Sequence, residues 1–70
     1  MREQLEKLID EMVEKGIRYA DARREFERRF IARVLASSHG NLCRAAERLG
    51  MHRNTLSRKI GELRLKRHAG

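Results

Sequence analysis

Residues 40–60, GNLCRAAERLGMHRNTLSRKI, decide how this chain folds. They read as two short helices joined at Gly50, the second of them basic along its outer side. Asn41 is a good N-cap, because its side-chain oxygen can accept a hydrogen bond from a backbone N–H of the first turn. Gly40 just before it can end a preceding helix in the left-handed conformation. A helix is therefore predicted from about Leu42. Ala45 and Ala46 are small and Leu49 is apolar, which lets the inner face of this helix lie close against one that crosses it steeply. Gly50 falls where the chain must turn sharply and where a positive φ is cheap for glycine alone. From about His52 the helix resumes, and Leu56, Ile60 and Leu63 recur at helical spacing as an inward stripe. Opposite them stand Asn54, Ser57, Arg58 and Gly61, with Arg53 near the helix start. Two arginines, an amide and a hydroxyl on one uninterrupted polar strip are what base edges and phosphates require, so the pattern reads as a helix-turn-helix directed at DNA.

Working back from this segment, two longer helices are expected. The first runs from about residue 2 to 15, with Leu5, Leu8, Ile9, Met12 and Val13 forming a narrow apolar face flanked by charge, and Gly16 ends it. A linker near Ile17 to Ala20 leads to Asp21 as N-cap of a second helix reaching about Ser38. Phe26, Phe30, Ile31, Val34 and Leu35 make its apolar side broad enough to cover both the first helix and the helix-turn-helix. The tail from Leu65 to Gly70 is expected to fray. The chain thus reads as all-α with four helices in one domain over residues 1–70: helices for association in 1–39, a helix-turn-helix in 41–64 and a basic tail in 65–70.

Composition bounds the rest. Seventy residues form one small domain whose core alone is marginal, since the entropy lost on ordering each residue nearly offsets what burial returns. The single Cys43 excludes an intrachain disulfide. No set of four cysteines and histidines has zinc-ligand spacing, and His39 and Cys43 are separated by Gly40, which breaks the helix that would align them. Oligomerisation is the remaining source of stability. Two amphipathic helices joined by a short loop form a hairpin, and two hairpins form a four-helix bundle that buries both stripes. Leu5, Leu8, Ile9, Met12, Val13, Phe26 and Phe30 are the residues expected in such a dimer interface.

The net charge is +7, and it is unevenly placed. Residues 1–15 hold five acidic and three basic side chains, whereas residues 41–70 hold two acidic and eight basic ones. The basic end coincides with the helix-turn-helix, and a polyanion collects such charge by counterion release. Aromatic residues are too few for the stacking platform of single-strand binders, so the expected partner is double-stranded DNA. No apolar run has membrane-spanning length, and none resembles a secretory signal, so neither a membrane nor an extracellular setting is expected. There is no carboxylate pair, no nucleophile with a base and no phosphate-cradling glycine loop; an enzyme, a cofactor or a small-molecule ligand is not expected.

The motif resembles the helix-turn-helix of the Fis family, which also forms the C-terminal domain of NtrC-like activators. GN at 40–41, RAAERLG at 44–50 and RNTLSRKI at 53–60 carry the likeness, which covers roughly residues 26–64. The resemblance implies that the second motif helix enters the major groove and that Arg53 reads a guanine. It places His52 and Arg58 at or beside base-reading positions, Thr55, Ser57 and Asn41 near phosphates, and Lys59 beside the DNA backbone. It also implies a cytoplasmic, nucleoid-associated homodimer that regulates transcription and bends its site, because recognition helices in such dimers lie closer together than one turn of straight DNA. The chain departs from the family pattern at Gly61 and Glu62, where basic residues are usual, at Cys43 in place of a hydroxyl residue, and at His52 in place of an amide.

Some residues carry two readings on sequence alone. Asn54 either caps the second motif helix or touches DNA. Arg44 projects from the helix that crosses the DNA backbone in such motifs, and is either a phosphate contact or solvated. Arg23, Arg24, Arg28, Arg29 and Arg33 read mainly as a solvated helix face. Two alternatives stand beside the free-standing regulator: the chain as the DNA-binding domain of a larger NtrC-type activator, and a helical module that docks a protein partner through its N-terminal hairpin.

Overall fold

The computed structural model describes residues 1–65, and in it the chain forms four helices: α1 (Arg2–Glu14), α2 (Tyr19–Ser37), α3 (Leu42–Leu49) and α4 (Arg53–Leu63). No strand occurs among the described residues. The expected fraying from Lys66 onward lies outside them.

The core is built from three of the four helices. Ile31 and Leu35 of α2, Ala45 and Ala46 of α3, and Leu56, Ile60 and Leu63 of α4 are buried together, with Val34, Leu42, Leu49, Met51 and Leu65 packed around them. Leu56 is 0% exposed and stands at the centre of the α4 stripe. The small side chains of Ala45 and Ala46 let α3 lie close to its neighbours, as their spacing predicts. No residue of α1 is buried.

All four helices end in the same way. A residue in the left-handed region follows each helix, and the next N–H reaches back to a carbonyl five residues earlier, the Schellman closure. Ile17 N–H donates to Met12 O at 3.1 Å, Gly40 to Leu35 O at 3.0 Å, Met51 to Ala46 O at 3.0 Å and Leu65 to Ile60 O at 3.0 Å. Gly16 and Gly50 supply the left-handed residue at two of these ends, both with φ +71°. At the other two the residues are His39 and Arg64, each with φ 56°. A side chain there costs about 1 kcal/mol, offset here by the satisfied carbonyls and by Leu65 packing on the core.

Three expectations are corrected. The closing residue of α2 is His39, with Gly40 following it at a second positive φ of 73°, so two residues make the reversal and not Gly40 alone. The second helix begins at Tyr19 from an extended Arg18 that has no side-chain cap. Asp21 lies within its first turn, where a carboxylate meets the positive end of the helix without acting as N-cap. Leu65 belongs to the α4 closure and to the core margin, not to a frayed tail.

The apolar side of α2 divides between two tasks. Ile31 and Leu35 serve the helix-turn-helix, whereas Phe26 (61% exposed) and Phe30 (50%) turn away from it, their ring centroids 5.2 Å apart. With Leu5, Leu8, Ile9, Met12 and Ile17 they line an open apolar groove between α1 and α2. Arg23, Arg29 and Arg33 of α2 also line this groove, as does Glu11 of α1. Val13 is exposed and is not part of the groove lining.

Candidate nucleic-acid interface

The polar face of α4 is set by the depth of its apolar one. With Leu56, Ile60 and Leu63 directed into the core, helical periodicity leaves Arg53, Asn54, Ser57, Arg58 and Gly61 on the outside, and all five are exposed. The nearest anion to Arg58 is Glu62, at 3.9 Å and one turn along the same helix. With both side chains about two-thirds exposed, this pair holds the guanidinium only weakly. Arg44 on α3 is exposed as well.

The entry to α4 is capped by a residue that sequence reasoning did not choose. His52 is extended, with φ −68° and ψ 146°, and its Nδ1 accepts from the Asn54 backbone N–H at 3.0 Å. That hydrogen bond places the proton of the neutral ring on Nε2, which is left as a donor facing outward. Asn54 contributes its backbone N–H to this cap, and its side chain is not the cap. Asn41 takes the expected role at α3: its Oδ1 accepts from Arg44 N–H at 3.0 Å, leaving the amide NH₂ free to donate. Arg53 leans back over α3, its Nη1 lying 3.8 Å from Cys43 Sγ. Asn41, Cys43, Arg44, His52 and Arg53, at the starts of the two motif helices, are all exposed, and the Arg53–Cys43 contact joins the two starts. Thr55, in the first turn of α4, is half-buried.

Lys59 is not on this surface. At 100° per residue it lies nearly opposite the middle of the Arg53–Gly61 strip, and its Nζ donates to Glu27 Oε2 of α2 at 2.7 Å. Its side chain is 22% exposed, against 67% for Arg58. The sequence expectation places Lys59 beside the DNA backbone; in the structure its ammonium is directed at α2. The Lys59 hydrogen bond, reinforced by the charges of Lys59 and Arg23, holds the Glu27 carboxyl below its ordinary value of 4.5 against the opposing effect of burial. A depressed carboxylate stabilises the fold fully above its unfolded pKa and loses that contribution as pH falls through the folded one. Thermal melts between about pH 3 and 7 should therefore show parent and Glu27→Gln differing by up to about 1 kcal/mol at neutral pH, and converging as the solution is acidified.

Two further polar contacts join the helices. Arg28 Nε of α2 donates to Leu63 O at the end of α4 at 3.3 Å. Arg48 Nη1 of α3 donates to Ser37 Oγ at 2.7 Å and to Ser38 Oγ at 3.1 Å, which satisfies the buried Ser38 hydroxyl. None of these was legible in the sequence, because the partners are separated by 10 to 35 residues and periodicity reports only near neighbours.

The model of a family described as bacterial regulatory proteins of Fis type matches residues 22–63, more than half of the chain. The chain belongs to the Fis family. The match begins inside α2 and ends at the last residue of α4, so it takes in the whole of the packed core and leaves out α1. No curated protein and no solved structure matches the chain significantly. As a member of that family the chain carries the helix-turn-helix of a DNA-binding transcription regulator, and α3–Gly50–α4 lies wholly inside the matched residues. Among the described residues, no helix is long and apolar enough to cross a membrane.

Proposed function

We propose that the chain binds double-stranded DNA as a homodimer with sequence preference, acts as a regulator of transcription in the bacterial cytoplasm, and bends the DNA it holds. The observation that carries this reading is the exposed strip of α4, where Arg53, Asn54, Ser57 and Arg58 stand clear of the core while Leu56, Ile60 and Leu63 of the same helix are buried in it. Inserted in a major groove, Arg53 offers two parallel donors to the acceptor edge of guanine, and Arg58 and Ser57 reach bases or phosphates one turn further on. The His52 Nε2 donor and the free Asn41 amide lie at the two helix starts, where phosphates pass closest. Arg44 approaches the backbone from α3, and Thr55 takes a lesser part than its exposed neighbours.

The dimer rests on the groove between α1 and α2. Its apolar floor of Leu5, Leu8, Ile9, Met12, Phe26 and Phe30 is open on a single chain, and a second copy supplies a matching floor. Val13, exposed at its edge, would join the contact only at the margin. The rim carries both signs, with Glu11 and Lys15 on the α1 side and Arg23, Glu25, Arg29 and Arg33 on α2, so a second copy can pair charges across it.

Duplex selection from a random pool tests the reading. A palindromic consensus is expected, and Arg53→Ala and Arg58→Ala should each weaken binding to it by roughly ten- to a hundredfold. If both variants bind the selected duplex as the parent does, the α4 strip is not the DNA-contacting surface. A salt-insensitive chain that recovers no duplex and associates with a different protein would instead favour the interaction module.

A further inference from the structure

We propose that Glu27 is a specificity-determining positioning residue: by holding Lys59 it sets the rotation of α4 in the DNA groove, and Lys59 itself contacts no phosphate. This rests on α4 being the recognition helix. The apolar contacts of α4, through Leu56, Ile60 and Leu63, fix which face is inward, and being non-directional they leave roughly the last 10–20° of rotation about the helix axis to polar contacts. Directional contacts come from two successive residues of α2. Glu27 takes the middle of α4 through Lys59 at 2.7 Å, and Arg28 takes its end through Leu63 O at 3.3 Å. Arg23 braces Glu27 from the preceding turn at 3.3 Å. The Glu27–Lys59 pair is three-quarters covered on both sides, and Lys59 lies on the side of α4 away from the exposed arginines. Reading bases demands placement to within about 0.5 Å and 10–20°, so an anchor that adds little to stability can still govern discrimination.

The test compares binding of the full chain to a selected duplex and to a shuffled duplex of equal composition across a salt series. In the parent, Arg58→Ala should lower the slope of log affinity against log salt by about one per subunit, as loss of a phosphate contact does. Lys59→Met should keep the parent slope while the ratio of affinities for the two duplexes falls by about fivefold or more. Glu27→Gln, which leaves the Lys59 charge in place and weakens its anchor, should lower the ratio likewise while keeping the parent slope. An unchanged ratio in Lys59→Met, or a slope reduced as in Arg58→Ala, overturns the proposal and leaves the DNA reading standing. If Lys59→Met does not fold, Glu27→Gln decides: a ratio equal to the parent's in that variant overturns the proposal. A parent chain with no salt-dependent duplex binding sinks the DNA reading itself, and the proposal with it.

Discussion

Leu56→Ala is expected to unfold the helix-turn-helix. Leu56 is 0% exposed and is the residue of α4 placed deepest among Ile31, Leu35, Ala45 and Ala46. Truncating such a side chain removes its transfer free energy and leaves a cavity, a loss of about 2–5 kcal/mol. A chain of this size rarely draws more than about 3–5 kcal/mol from its core, so the two magnitudes are equal. Circular dichroism should show most of the helical signal lost at temperatures where the parent is folded, and duplex binding should disappear with it. Arg58→Ala, exposed and weakly paired, should leave the melt within about 0.5 kcal/mol of the parent while weakening DNA binding. A Leu56→Ala chain that melts within a few degrees of the parent would show that α4 is not packed on the core through this face.

The second large effect is expected from Ile9→Glu. Ile9 lines the groove and is partly exposed on one chain, so a carboxylate there costs the isolated fold little. In a dimer that buries both grooves, the same substitution places a charge in an apolar interface, where its desolvation is not compensated. Light scattering should therefore give a mass near that of one 8.2 kDa chain for the variant and near twice that for the parent. Binding to a palindromic duplex should fall by about 10²–10⁴-fold, because the second half-site is no longer engaged at the high effective concentration that linkage provides. The helical signal per residue should change little, which separates this outcome from that of Leu56→Ala. A parent already monomeric at the concentrations where it binds DNA would remove the dimer from the account.

The two variants bear on different halves of the chain, and the halves differ in how far sequence alone reached. The helix-turn-helix was legible because its determinants are local. Asn41 caps the residue three positions on, Gly50 takes the left-handed turn at its own position, and Leu56, Ile60 and Leu63 report their common face through helical period. Each of these rests on interactions within about one turn of helix, where spacing is the physical variable. The start of α2 was less legible, since Asp21 looks equally suited to the N-cap and to the first turn, and the backbone of Arg18 decides between them.

What the sequence by itself determined is the set of helices, the turn at Gly50, the inward stripe of α4 and the position of Arg53 and Arg58 on its outer side, all consequences of backbone preference and periodicity. Only the tertiary structure decided that Lys59 reaches Glu27, that Arg48 secures Ser37 and Ser38, and that the apolar side of α2 divides between Leu35 and Phe30. These depend on how three helices cross. The Lys59 ammonium finds its partner on a helix some thirty residues away in the chain, a separation over which helical period says nothing.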